Sequence, residues 1–133
     1  MAKCYIAGPM RNKPEFNFPA FFEAEARLAA AGWVPFNPAR LDVQAGEPYQ
    51  NLTLEQQQAH AGAPSNTRRY AKRDLSILVD LLKAEDADAL VLLPGWEESK
   101  GAQAEHAVAQ WVGLRVLTLK EALSVLVESG RKA

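Results

Sequence analysis

Two kinds of hydrophobic pattern alternate along the chain. One is a short, nearly unbroken apolar block; the other is a longer stretch in which apolar residues return every three or four positions. The first suits strands buried on both faces and the second suits amphipathic helices. Lys3 to Ala7 is the first block, closed by Gly8-Pro9. Phe18, Phe21, Phe22 and Leu28 then recur at helical spacing. They predict a helix from Phe18 to Ala31, with Asn17 as N-cap, Pro19 in the first turn and Gly32 as C-cap. Trp33 to Phe36 predicts a second strand, stopped by Asn37-Pro38.

From Asp42 to Thr67 Gln, Asn, Gly, Pro and Ala dominate, and no strong apolar period is present. So long and polar a segment predicts a lid or an interface arm, in which Thr53-Leu54-Glu55-Gln56 opens one short helix as a capping box. Regular pattern resumes with a helix over Arg68–Lys83, a strand over Ala89–Leu93 and a turn at Pro94-Gly95-Trp96. A helix over Lys100–Val112 follows, capped by Gly113, then a strand over Arg115–Thr118 and a helix over Glu121–Glu128. Strands alternating with helices imply right-handed crossovers. The expected fold is a doubly wound α/β sheet of four to five parallel strands with helices on both faces, flavodoxin- or Rossmann-like. It forms one domain over residues 1–133, with the lid or interface segment at 42–67.

Composition narrows the function more than the fold. The 133 residues carry a net charge of -1, which argues against a broad basic face for nucleic acid. The single Cys4 excludes an intramolecular disulfide and a multi-cysteine metal site. His60 and His106 have no Cys or carboxylate at ligand spacing, so no metal is assigned to either. With no bilayer-length apolar run and no signal-peptide pattern, the expected setting is cytoplasmic, with no membrane association.

In open α/β sheets, ligands bind beyond the carboxyl ends of the strands. Two loops leave predicted strand ends there: Gly8-Pro9-Met10-Arg11 and Pro94 to Ser99. Neither carries a dinucleotide or Walker A fingerprint. Ser99 is the natural N-cap of the next helix, and Glu105 leans back over Ala102 and Gly101, which carry almost no side chain. That leaves room for a ring-sized ligand beside a carboxylate that the helix dipole favours in its ionised form. Alternatively, Glu105 is a solvated surface residue. Asp74 falls inside the apolar stripe of Tyr70, Leu75, Ile77, Leu78, Val79, Leu81 and Leu82, while Arg69, Lys72, Arg73 and Asp80 lie opposite. Such a carboxylate either pairs locally with an amide or Arg, or faces a cleft. Two carboxyl groups near one sugar are the equipment of glycosidic chemistry.

These residues fall into ordered motifs. Cys4-Tyr5-Ile6-Ala7-Gly8-Pro9-Met10, Asn17-Phe18-Pro19-Ala20-Phe21, Asn37-Pro38-Ala39 and Arg73-Asp74-Leu75 precede Leu92-Leu93-Pro94-Gly95-Trp96-Glu97-x-Ser99-x-Gly101-Ala102-x-x-Glu105. Together they resemble the nucleoside 2-deoxyribosyltransferase-like family, in particular its small phage and bacterial branch, which is similar to the 2'-deoxynucleoside 5'-phosphate N-hydrolases. The resemblance implies that Glu105 attacks the anomeric carbon and that Asp74 assists the leaving base as proton donor. It also implies that Tyr5 positions the nucleophilic carboxylate; otherwise Tyr5 is a packed strand residue. Where transferases acting on free nucleosides tend to carry aspartate, this chain has Ser99, as do the 5'-monophosphate hydrolases. Arg11 and Lys100 are candidate phosphate partners or solvated charges. Gly8 admits close approach by a ligand or merely a turn, and Trp96 stacks on a base or covers the sheet edge. The implied activity is cleavage of the N-glycosidic bond of a (deoxy)nucleoside or its 5'-monophosphate, by hydrolysis or by transfer to another base. No cofactor is implied, and the expected assembly is a homodimer or larger. Two rival readings are a catalytically silent nucleotide-binding sensor and a TIR-like NAD hydrolase. The Tyr5 and Asp74 matches weigh against the second.

Overall fold

The computed structural model describes residues 2–11, 13–46 and 52–132, without the side chains of 54 and 126–132. Four strands, β1 (Lys3–Ala7), β2 (Val34–Phe36), β3 (Ala89–Leu92) and β4 (Arg115–Thr118), form one parallel sheet in the order β2-β1-β3-β4. The helices are α1 (Phe18–Ala30), α2 (Pro38–Gln44), α3 (Leu54–Gly62), α4 (Pro64–Ser76), α5 (Lys100–Trp111) and α6 (Leu119–Lys132). This is the expected doubly wound α/β architecture, and its strand order reverses between β1 and β3.

Side-chain alternation along the strands builds the two layers. Cys4, Ile6, Ala89 and Val91 face a core completed by Phe21 and Leu28 of α1 and Ala122 of α6. Tyr5, Ala7, Leu90 and Leu92 face the opposite core, with Leu78, Leu82, Ala102 and Ala109. Tyr5 therefore emerges on the layer that holds α5 and the end of α4. At the amino ends of the strands Asp88 is fully buried and accepts from the backbone N–H of Lys3 and of Lys83, each at 2.8 Å.

The segment 42–67 departs from expectation. Asn37 does end β2, but its Oδ1 accepts from Ala39 N at 2.9 Å and opens α2, which extends to Gln44. The predicted Thr53 capping box is present and starts α3; α4 then begins at Pro64, four residues before the predicted Arg68. The described part of the segment is thus largely helical, and residues 47–51 of the predicted lid lie outside the described residues. No apolar period announced these helices, because α3 packs through small residues such as Ala61 and α4 buries no residue fully.

Two further expectations are corrected in part. Asn17 stands at the N-cap position of α1 but its side chain makes no cap: it ends a left-handed run with Glu15 and Phe16, and its Nδ2 donates to Pro9 O at 2.8 Å. The helix predicted through Lys83 leaves α geometry after Ser76 and continues as a π turn over Ile77–Leu81. The wider turn rotates the apolar stripe, so Ile77 and Leu78 are buried while Val79 and Leu81 are exposed. Gly8 is also closely packed within the protein, since a Cβ there would meet Leu93 Cβ at 2.9 Å. Among the described residues, no helix is long and apolar enough to cross a membrane.

Candidate active site

Three elements at the point where strand order reverses bring their side chains together. Tyr5 projects from β1, Glu105 from α5 and Asp74 from α4. The Tyr5 hydroxyl donates to Glu105 Oε2 at 2.6 Å, across 100 positions of sequence. Tyr5 is 1% exposed, so the bond lies inside the protein. Asp74 lies near the same hydroxyl: Tyr5 opposes the upward push that burial gives this carboxyl, as does Arg73, and the carboxyl stays raised.

The local sequence explains how Glu105 comes to be there. Ser99 caps α5, its Oγ accepting from Ala102 N at 3.2 Å. Gly101 opens onto free space, because an added Cβ would find only Ser99 Oγ within contact, at 3.9 Å. Of the two small residues expected to leave a bare patch, Gly101 is open, while Ala102 is buried in the core beside Tyr5.

The protonation state of Glu105 reverses the expectation that the helix dipole holds it ionised. Burial, reinforced by the negative charge of Asp74, pushes its carboxyl up to about 8. The hydrogen bond from Tyr5 and the charge of Arg73 offset only part of this. A carboxyl in the second turn of a helix is too far from the terminal amides for their field to win over desolvation. Tyr5 is held well above its ordinary value by burial and by the two carboxyls.

Asp74 meets the first of the two descriptions that the sequence allowed, a local partner. It has the local Arg partner, with Arg73 Nε donating to its Oδ1 at 2.7 Å, and it also faces Tyr5 and Glu105. Arg73 does not stay on the solvent side of α4. Its long arm wraps round the helix, and Nη1 donates to Asp42 Oδ1 at 2.7 Å. Asp42 and Arg73 are the site residues that sequence reasoning missed. The adjacency of Arg73 to Asp74 was the available signal for one; Asp42 is distant in sequence and gave none.

The other candidates have contacts of their own. Arg11 donates to Ala61 O at 2.9 Å and Thr67 Oγ1 at 3.4 Å, bracing α3 against α4. Lys100 is the first residue of α5 and is exposed. Trp96 packs one face on His106, with ring centres 4.6 Å apart. An open cleft of about 880 Å³ lies beyond β3 and β4, lined by Arg27, Gly95, Trp96, Thr118 and Lys120 among others. Tyr5, Asp74 and Glu105 do not line it. Among the described residues no three His, Cys, Asp or Glu side chains group as a metal site would require.

Residues 2–118 match a family described as a domain of unknown function, DUF4406. No curated protein matches the chain. The matched span takes in Tyr5, Asp42, Arg73, Asp74, Ser99 and Glu105.

Proposed function

The chain belongs to the DUF4406 family, and we propose that it cleaves the N-glycosidic bond of a (deoxy)nucleoside 5'-monophosphate or nucleoside. One observation carries this reading: a partly buried carboxyl on α5 bonds a buried tyrosine hydroxyl at 2.6 Å, and a second carboxyl, Asp74 of α4, lies close enough to raise it electrostatically. The resemblance to deoxyribosyltransferase-like proteins supports it.

In this reading Glu105 is the nucleophile and Asp74 the acid for the departing base. The carboxylate of Glu105 attacks the anomeric carbon as the carbon–nitrogen bond breaks, and the proton of Asp74 neutralises the base. Water, or a second base, then attacks the same carbon and releases Glu105. The pair needs one proton between them. Burial and the charge of Asp74 raise the Glu105 carboxyl to about 8, so in this reading substrate binding shifts one proton from the nucleophile toward the acid, while the Tyr5 hydroxyl holds Glu105 at 2.6 Å.

Ser99 favours a 5'-monophosphate over a free nucleoside. A hydroxyl at the start of α5, beside the helix amides, receives an anion better than a second carboxylate would. A homodimer or larger assembly is part of this reading, and light scattering on the purified protein tests it.

The reaction is tested by incubating the protein with a panel of nucleosides and 5'-monophosphates, with and without a free base. Chromatography should reveal free base from at least one deoxynucleotide, and Glu105→Ala should abolish it. Tight nucleotide binding without base release would instead indicate a sensor. Release of nicotinamide from NAD would indicate the TIR-like alternative.

A further inference from the structure

Adjacent residues on a helix point about 100° apart, so a pair such as Arg73 and Asp74 does not meet by default. Arg73 must fold its arm round α4 to reach its neighbour, which immobilises several rotatable bonds. Two hydrogen bonds and an aromatic ring hold it there. Its Nη1 donates to Asp42 Oδ1 at 2.7 Å while Nε donates to Asp74 Oδ1 at 2.7 Å. The guanidinium also lies 5.5 Å from the centre of the Tyr70 ring. The Asp42 side chain is 6% exposed, against 25% for Arg73 and 14% for Asp74, so the anchor is the most buried of the three. Asp42 is itself fixed, because α2 is capped by Asn37 immediately after β2.

We propose that Asp42 and Arg73 are a positioning pair, in which Asp42 pins the guanidinium and the guanidinium aims the carboxyl of Asp74 toward the leaving base. The proposal rests on the glycosidic reading for its catalytic consequence, but not for the pinning itself. Asp74 is faced by Arg73 on its own helix, Asp42 through Arg73 from α2, Tyr5 from β1 and Glu105 from α5. Of these only Arg73 carries positive charge. Asp74 is thus the carboxyl paired with the guanidinium, while Glu105 is paired with the Tyr5 hydroxyl.

Two mechanisms give opposite signs when Asp42 is neutralised. If Asp42 anchors Arg73, Asp42→Asn releases the guanidinium toward solvent, and Asp74 loses its counter-charge and titrates at higher pH. If Asp42 only competes for the same charge, Asp42→Asn leaves Arg73 wholly to Asp74, which then titrates at lower pH. Carboxyl carbon resonances of aspartate-labelled full-length protein read this directly, with Asp74→Asn used to assign the signal. The expected result is an upward move in Asp42→Asn, and also in Arg73→Lys, whose ammonium lacks the rigid fork that sets separate nitrogens on Asp74 and Asp42. A downward or absent move overturns the proposal, and Arg73→Lys decides it should Asp42→Asn not fold.

The catalytic arm uses the same variants. Asp42→Asn and Arg73→Lys should lower kcat about tenfold, with KM changed by less than about threefold. A purely structural brace would lower the melting temperature and leave kcat and its pH profile alone. If the unaltered protein releases no base from any substrate, the glycosidic reading fails, while the titration still decides whether Asp42 pins Arg73.

Discussion

Replacing Glu105 by glutamine should make the protein more stable, and the gain should grow with pH. The native carboxyl is raised from its ordinary 4.5 to about 8, first by burial and then by Asp74. Between those values the native state holds a proton that the unfolded chain has already released. Native stability must therefore fall as pH rises through that window. At about 1.4 kcal/mol per pH unit, the loss has a ceiling of roughly 5 kcal/mol. Relaxation round the charge, and sharing of the proton with Asp74, reduce the expected effect to about 1–3 kcal/mol. Glutamine keeps the shape, and its amide oxygen can still accept from the Tyr5 hydroxyl. Paired thermal unfolding curves from about pH 4.5 to about pH 9 test this, since about 1 kcal/mol moves the midpoint by roughly 3–5 °C in a chain of this size. The two proteins should nearly coincide at the acid end and separate toward pH 8. A difference that stays constant with pH, or a glutamine variant that is the less stable one at about pH 8, would refute the assignment of a raised carboxyl to Glu105.

Other perturbations separate the site from its scaffold. Tyr5→Phe removes a hydrogen bond that lowers the Glu105 carboxyl, so the acid limb of the pH–rate profile should move to higher pH and turnover should fall about ten- to a hundredfold. An unmoved limb would sever Tyr5 from the chemistry. Asp88→Ala leaves two backbone N–H groups without their 2.8 Å acceptor and should cost about 2–4 kcal/mol in urea unfolding. Base release by the folded fraction should be unchanged, because Asp88 lies at the amino ends of the strands. Gly8→Ala places a methyl 2.9 Å from Leu93 Cβ, whose backbone anchorage limits its retreat, and should cost about 1–3 kcal/mol in the same assay. If it is neutral, the contact is softer than its geometry implies.

The parallel sheet was legible because its four strands are short apolar blocks with sharp punctuation. Gly8-Pro9 closes β1, Asn37 ends β2, and Gly113 at φ +81 separates α5 from β4. Long-range pairing is implied by such a pattern, since strands apolar on both faces have to be covered on both. Of the helices of 42–67 only α3 was legible, from the Thr53 capping box; the start of α4 was not, because no apolar period marks it and it buries no residue fully. Periodicity failed again after Ser76, where a π turn changes the number of residues per turn. In the site, Glu105 and Tyr5 could be named from motif and strand position. Their meeting at 2.6 Å is a product of the crossover that brings α5 back over β1. Arg73 was assigned to solvent by its wheel angle, which ignores the reach of an arginine side chain. Asp42 sits in the segment read as a lid, and only the fold brings it to Arg73.

The central claim is that Glu105 forms a bond to the sugar. Acid quenching of the protein during turnover of a deoxynucleoside 5'-monophosphate, followed by peptide mass spectrometry, tests it most directly. The peptide containing Glu105 should gain the mass of the deoxyribosyl phosphate, and the adduct should vanish in Glu105→Gln along with base release. Base release that persists in Glu105→Gln, or an adduct carried by a different residue, would contradict the account.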